Sequence, residues 1–482
     1  MKEIFLNELR NHFGHTATKG QELLMVQLCN FILSEIQDEL FVIKGYAGTG
    51  KTTLVSSVIK SLSAVKFQSV LLAPTGRAAK VLTQYSGKSA FTIHKKIYKP
   101  VTNANGQGAF ILQPNLHKNT LFIVDEASMI GDGSGATEGK LFTNRSLLED
   151  LLMYVYNGEN CKLILIGDTA QLPPVGMNES PALNAEYLKT NFHCNVYQFE
   201  LTEVVRQVND SGILINATEI RNMIRDENES LPSFTINGFN DIIKQSGAEL
   251  VDAINDAYKQ YGDDNTIIIC RSNKRANIYN QEIRRRIKFH DESISTGDYL
   301  MVVKNNYFWL DNKDKASFIA NGDIAEIVRI KKRDVEMFGF NFADVTLRLI
   351  DYPDEPEFDA KIILDTINAD APALTYEQNN KLFNEVMEYY SDVTNKSARI
   401  LKVKQDPFFN ALQVKFAYAI TCHKAQGGQW KAVFIEQGYL TDEMVNIEFK
   451  RWLYTAITRA VDKLYLVNFN NKFFPEFIDE AI

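Results

Sequence analysis

The stretch Val42-Ile43-Lys44-Gly45-Tyr46-Ala47-Gly48-Thr49-Gly50-Lys51-Thr52-Thr53 is an apolar strand running into the spacing G-x-x-x-x-G-K-T. Glycines at 45, 48 and 50 let a backbone turn tightly and aim its N–H groups at anionic oxygens. Lys51 then supplies charge for the β- and γ-phosphates of a nucleoside triphosphate, and the Thr52 hydroxyl reaches a bound Mg²⁺. A helix expected over 52–62 adds its positive dipole end. An accidental glycine-rich turn would need neither the strand nor the helix. Gly45, Gly48, Thr49, Gly50, Lys51, Thr52 and Thr53 are therefore read as a phosphate-binding loop.

Two further strand-to-loop elements carry chemistry. Leu121-Phe122-Ile123-Val124 ends in Asp125-Glu126. Asp125 at the strand tip can hold Mg²⁺, directly or through water, and Glu126 can orient and deprotonate an attacking water. A base beside the metal points to hydrolysis rather than phosphoryl transfer to a small molecule. The third element, Ile164-Leu165-Ile166-Gly167-Asp168-Thr169-Ala170-Gln171-Leu172-Pro173-Pro174-Val175, places Gln171 where it could sense a γ-phosphate. An ordinary turn closed by prolines reads equally well there.

The elements that must position these groups follow from the apolar pattern. Runs at 40–44, 69–73, 121–125, 162–166 and 197–202 are short and apolar on both faces, as buried parallel strands are. Similar runs return at 266–270, 416–420, 432–436 and 463–467. They predict two α/β domains, each a parallel sheet covered by helices. Two insertions interrupt them. Around 94–118, Asn105-Gly106 between extended stretches signals a β-hairpin. Over 294–410, alternating segments at 299–303, 323–330 and 344–350 predict a small β-barrel-like domain with a helix near 376–390. Gly131–Ala136 fits G-x-G-x-x-A formally, but follows no strand directly and reads as a surface loop.

Bulk properties bound the reading. The 482 residues suggest about three domains, and 45% hydrophobic with 23% charged residues is ordinary for a globular chain. Five scattered cysteines without C-x-x-C or Cys/His ligand spacing argue for a reduced cytosol and no structural zinc. His12 and His15 read as surface histidines. The first residues do not form a signal peptide and no apolar run approaches 18 residues, so a soluble protein is expected. A net charge of −8 counts against non-specific coating of nucleic acid but permits a local basic track. The segment 271–288 holds seven Lys/Arg against the single acid Glu282. It is either a solvated helix face or such a track.

The order GYAGTGKTT, APTGRAAK (73–80), TIHKKIY (92–98), VDEASM (124–129), GDTAQLPPV (167–175), LTEVVRQ (201–207), TCHKAQG (421–427) and LYTAITRA (453–460) resembles superfamily 1B DNA helicases of the RecD–Dda–Pif branch, and Dda-like proteins most. The likeness spans nearly the whole chain and is weakest across 331–410. It implies a first RecA-like ATPase domain over 1–93 and 119–205, with a pin hairpin at 94–118. It implies a second RecA-like domain over 206–293 and 411–482, with an SH3-like β-rich insertion at 294–410. Gln21 matches the adenine-recognising glutamine of the family, or is a polar residue at a helix start. Arg206 and Arg459 match arginines that reach the γ-phosphate from the second domain, and Gln426 and Gly427 link that site to the DNA motif.

For a DNA strand the resemblance implies contacts from Pro74, Thr75, Arg77, Thr92 and His94, then Asn273, Thr421, His423 and Lys424. Such hydroxyls, backbone N–H groups and cations grip phosphates without reading bases. Phe110 would stack on the last base pair, or else bridge the hairpin strands. Stacking worth about 1–3 kcal/mol against about 1.4 kcal/mol per opened step makes a motor-driven wedge workable. The implied activity is ATP- and Mg²⁺-dependent movement on single-stranded DNA, 5′→3′, with unwinding at single-strand/duplex junctions. A monomer acting without a membrane is expected, with single-stranded-DNA-binding, replication or repair proteins as candidate partners. Rival readings are an ATP-driven nucleic-acid switch or remodeller, and an RNA-directed motor.

Overall fold

The computed structural model describes residues 1–102, 108–132, 146–203, 211–310, 319–352 and 355–475. A six-stranded parallel sheet runs in the order Ala90–Thr92, Gln68–Ala73, Lys118–Val124, Glu159–Gly167, Glu39–Gly45, Asn195–Leu201. The two-sided apolarity has a direct cause. Leu40 and Val42 face one core while Phe41 and Ile43 face the other, so this central strand is covered on both faces. A second, five-stranded parallel sheet runs Ala419–Thr421, Thr266–Cys270, Trp430–Glu436, Ala460–Val467, Ile242–Gln245. Ile267 and Ile269 face one core and Ile268 and Cys270 the other.

The inserted segment closes into a five-stranded barrel of Tyr299–Val302, Ile324–Met337, Phe340–Leu349, Phe358–Ile363 and Leu412–Phe416. The helix expected near 376–390 is Tyr376–Tyr389, with a capping box between Thr375 and Gln378. The pin strands Tyr98–Thr102 and Gly108–Leu112 pair antiparallel. Its Asn-Gly turn and most of the Gly131–Ala136 loop lie outside the described residues. All five cysteines are buried and unpaired. Among the described residues no helix is long and apolar enough to cross a membrane.

The apolar run 416–420 is not one strand. Phe416 ends a barrel strand and Ala419 begins a strand of the second sheet. Asn280 sits at the break: its Nδ2 donates to Phe416 O (3.1 Å) and Ala419 O (2.9 Å), and its Oδ1 accepts from Ala419 N at 2.7 Å. Apolar pattern alone cannot register that crossing, because both halves are equally buried.

The basic segment 271–288 resolves mostly into internal pairing. Arg284 is buried against Asp298, Arg285 and Arg286 pair with Glu282, Lys288 with Asp263, and Arg275 with Glu436. Asp298 is the hub of the suture between barrel and sheet. It accepts from Arg284 Nε (3.0 Å), Ser295 N (2.7 Å) and Tyr418 Oη (3.0 Å), with His290 Nδ1 also 3.0 Å away. Removing one partner of a buried ion pair leaves a charge uncompensated, at about 3–5 kcal/mol. Asp298→Ala should therefore lower unfolding stability by that order in urea titrations, and Asp298→Asn by less.

Candidate active site

The phosphate loop sits where the sheet register puts it. Lys44 lies opposite Gly167, and Val124 opposite Leu165, so Gly45, Asp125 and Asp168 emerge together at the carboxyl ends of adjacent strands. Gly48 and Gly50 hold φ of 79° and 83°, a left-handed turn that a side chain would strain. Thr49 is fully buried and its hydroxyl donates to Tyr46 O at 2.9 Å, which closes the turn. Lys51 Nζ donates to Gly45 O (2.6 Å) and Tyr46 O (2.8 Å), at the mouth of helix Lys51–Ser61. A Cβ on Gly45 would fall within 3.1 Å of the Lys51 stem.

These groups open onto a cavity of about 700 Å³. From the first sheet it takes Gln21, Gly48, Gly50, Lys51, Thr52 and Thr53, and then Asp125, Glu126, Asp168 and Gln171. From the second domain it takes Gly427, Thr458 and Arg459. Residues spread over more than 400 positions of chain thus share one cleft between two sheets. Arg206 lies outside the described residues.

Glu126 has a left-handed backbone, φ 54°, which costs an ordinary residue about 1–2 kcal/mol. Asp125 Oδ1 holds this turn by accepting from Glu126 N at 2.9 Å. The side chain is aimed into the cleft, with Arg459 Nη1 3.7 Å from Glu126 Oε1. Burial pushes the Glu126 carboxyl up, Arg459 pulls it back, and the Asp125 and Asp168 charges push it further up. That is the environment of a base drawn toward neutral pH. Asp125 Oδ2 accepts from Tyr85, a contact that no sequence motif marks. Thr52 and Asp125 offer one hydroxyl and one carboxylate. Such a donor set suits Mg²⁺, which keeps waters and takes phosphate oxygens.

Gln21 is 1% exposed: Oε1 accepts from Thr18 N (3.0 Å) and Nε2 donates to Thr49 O (3.0 Å). The amide keeps a second N–H and a second lone pair beyond these two bonds. Gln171 Oε1 is buried without a hydrogen-bond partner, beside the cleft. The loop carrying Gln171 is strapped to helix Ile447–Ile457 of the second domain. Leu172 N donates to Thr455 Oγ1 (2.8 Å), Arg451 Nη1 to Thr169 O (2.5 Å), and Gln426 Nε2 to Leu172 O (2.7 Å). Tyr454 joins the same helix to both sides of the site. Its hydroxyl donates to Asp168 Oδ2 (2.7 Å) and accepts from Ala47 N (3.0 Å) of the phosphate loop. Tyr454 lay inside the motif LYTAITRA, yet nothing in the sequence marked its hydroxyl as the bridge.

The expected strand contacts fall into two groups. Thr75 and Thr92 cap helices, accepting from Ala78 N and Lys95 N at 3.2 Å each. His94 stacks at a tilt on Tyr98. In the pin, the Phe110 backbone pairs with that of Pro100. On the second sheet, Asn273 opens helix Asn273–Arg286, while Thr421, exposed His423 and Lys424 stand at the end of strand Ala419–Thr421. Lys424 Nζ donates to Asn321 Oδ1 at 2.6 Å. Pro74 is half-buried beside Thr75. Arg77 is committed elsewhere in this conformation. It donates to Asp351 Oδ1 (3.3 Å), Asp264 O (3.3 Å) and Gln429 O (3.4 Å), and its guanidinium lies 4.7 Å over the Trp430 ring.

The two groups meet at the cleft. Gly427, φ 73°, lies so close that a Cβ would come 2.7 Å from Ala78 Cβ and 3.4 Å from Thr75 Oγ1. Tyr454→Phe should keep the ring packing but leave buried Asp168 Oδ2 without its donor. A loss of about 1–3 kcal/mol is expected for such an orphaned acceptor, read as a lower denaturant midpoint; no change would remove the bridge.

The AAA domain family matches residues 18–230 and the UvrD-like helicase C-terminal domain matches 416–467. The chain is 27% identical over 471 residues to the ATP-dependent DNA helicase dda of Enterobacteria phage T4, covering 92% of this chain and 97% of that protein. It is 32% identical over 176 residues to the ATP-dependent RecD2 DNA helicase of Deinococcus radiodurans, covering 36% of this chain and 21% of that one. A crystal structure of Pif1 helicase from Bacteroides superposes with a TM-score of 0.47 at 16% identity, over 97% of each chain. The ordered motifs, the two domain matches and the likeness to the phage helicase agree in making this chain similar to superfamily 1B helicases of the RecD–Dda–Pif branch.

Proposed function

We propose that the chain hydrolyses ATP in the cleft between its two parallel sheets and uses the resulting opening and closing to move along single-stranded DNA and separate duplex. The observation that carries this reading is the shared wall. Gly427 and Ala78 line the nucleotide cavity and touch each other, while their neighbours Thr421, His423 and Lys424, and Pro74, Thr75 and Arg77, are expected strand contacts. A change in the cleft is therefore felt at both DNA loops without a long relay.

In this reading phosphate oxygens replace the Gly45 and Tyr46 carbonyls on Lys51. Mg²⁺, held by Thr52 and Asp125, would neutralise phosphate charge. Glu126 takes a proton from the attacking water as its oxygen bonds to the γ-phosphorus, and the bond to the bridging oxygen breaks to leave ADP and phosphate. Arg459 faces the charge that builds on the γ-phosphoryl group and, coming from the second sheet, draws the cleft shut; Arg206 has the same role. Gln171 reports the γ-phosphate to the loop strapped by Tyr454 and Arg451. Gln21 reads the base. Pro74, Thr75, Arg77, Thr92 and His94 grip the strand on one side and Asn273, Thr421, His423 and Lys424 on the other, with Phe110 as wedge. Movement is 5′→3′ by the family likeness, by a monomer in the cytoplasm, with single-stranded-DNA-binding or repair proteins as partners.

Lys51→Ala should abolish ATP turnover, and Glu126→Gln should keep nucleotide binding while stopping hydrolysis; normal turnover by Glu126→Gln would remove the proposed base. Arg459→Ala should lower kcat about a thousandfold, the order seen for arginines of this kind. Because the Glu126 carboxyl is pushed up, activity should fall with decreasing pH above the ordinary glutamate range of about 4.3. Labelled duplexes with a 5′ or a 3′ tail test the motor itself. Opening of the 5′-tailed duplex alone is expected, opening of the 3′-tailed one would reverse the polarity, and opening of neither would leave a switch or remodeller. ATPase stimulation by RNA in place of DNA would favour an RNA-directed motor.

A further inference from the structure

Helix Gly76–Ser86 starts at Thr75, inside the loop assigned above to the DNA backbone. Its first residue has no side chain, and the barrel takes that space. A Cβ on Gly76 would overlap Asp323 Oδ1 and lie 3.0 Å from Tyr352 Oη. Asp323 is 1% exposed; its Oδ2 accepts from Ala320 N at 2.7 Å, whereas its Oδ1 has no hydrogen-bond partner. Beside it, buried Asp351 receives Arg77 Nη1 and Lys80 Nζ on Oδ1, each at 3.3 Å, and its Oδ2 is also without a partner.

Two buried carboxylates with orphaned oxygens are an expensive arrangement for a barrel rim. Their setting is that of a bound phosphodiester: the positive end of a helix, an arginine and a lysine. We propose that Asp323 and Asp351 form an anionic plug that occupies the phosphate seat of the 74–80 loop, so that a DNA strand binds there only by displacing the barrel rim. This rests on the reading of Pro74, Thr75 and Arg77 as strand contacts. Burial, with the Asp351 charge adding to it, pushes the Asp323 carboxyl up to about 7, as fits a group held there at a cost. The backbone of a strand offers Arg77 and Lys80 the same charge without a buried, unpartnered oxygen.

A seat that is blocked part of the time lowers apparent affinity by the fraction of time it is open. Binding of a fluorescent oligo-dT to the nucleotide-free protein, followed by anisotropy, tests this. Asp323→Asn and Asp351→Asn should each bind about three- to tenfold more tightly than wild type. Glu377→Gln, which removes one exposed charge in the first turn of helix Tyr376–Tyr389, should not change affinity. Equal or weaker binding by the two asparagine variants, or equal tightening by Glu377→Gln, would overturn the plug. If the variants fail to fold, hydrogen exchange on the wild type decides. Oligo-dT should speed exchange of the Ala320 amide by freeing it from Asp323, and unchanged or slower exchange would overturn the plug. A wild type that binds no oligonucleotide would remove the proposed function itself, whereas binding with unaltered variants would remove only the plug.

Discussion

One hydroxyl joins the two halves of the nucleotide site. Tyr454, on a helix of the second domain, accepts from the Ala47 amide of the phosphate loop and donates to Asp168 at the tip of the neighbouring strand. Tyr454 and Asp168 are buried and the Ala47 amide is half-buried at the cavity wall, so a bond lost while the cleft stays closed is costly. Burial and the Asp168 charge push the Tyr454 pKa well up, which keeps the phenol a neutral donor across the physiological range. The second sheet is thereby fastened to the backbone amides that would receive phosphate. A ligand that reorients those amides must also move helix Ile447–Ile457, and with it Arg459 two residues beyond its end.

The remaining interdomain contacts extend this constraint. Ala170 and Leu172 of the first domain are buried in the same core as Ala425, Leu453 and Ile457 of the second. The barrel is no loose appendage either, for Leu300, Val302 and Leu347 pack in one core with Ile268 and Phe434 of the second sheet. A rigid barrel and sheet would turn together, since the Asp298 hub and the Asn280 bridge hold their junction. Beside that shared core, polar contacts couple this body to the first domain: Arg77, Lys80 and the strapped loop 167–175. Polar junctions separate at smaller cost than apolar ones, because water can replace each bond that breaks. The fold thus has one stiff joint and one that can open, and the nucleotide site lies across the second.

Charge patterning shows the limit of a linear reading. Of the seven cations over 271–288, Arg285 and Arg286 pair with the local Glu282, but Arg284, Lys288 and Arg275 find Asp298, Asp263 and Glu436 elsewhere in the chain. Arg77 likewise finds its partners far away in sequence. Its guanidinium is held by a barrel carboxylate, two carbonyls of the second domain and the face of Trp430. A charge count along the sequence sees only neighbours within a helical turn, whereas a long cationic side chain takes whatever carboxylate the fold delivers.

The sequence by itself determined the chemistry of the phosphate loop, the acid pair after the third apolar run, and two parallel sheets with a hairpin and a β-rich insertion. Those features are local: glycine backbone freedom, two-sided apolar strands and turn residues act over fewer than about ten residues, and their spacing is enough to read them. Tertiary structure alone decided which groups face the cleft together. Tyr85 reaching Asp125, Tyr454 spanning Ala47 and Asp168, and Gly427 against Ala78 are meetings of residues 40 to several hundred positions apart. It also decided that Phe416 and Ala419 belong to different β-structures, and that Asp323 and Asp351 lie against the 74–80 loop. Such pairings follow from which surfaces pack, and packing is a property of the whole chain that no window of sequence contains.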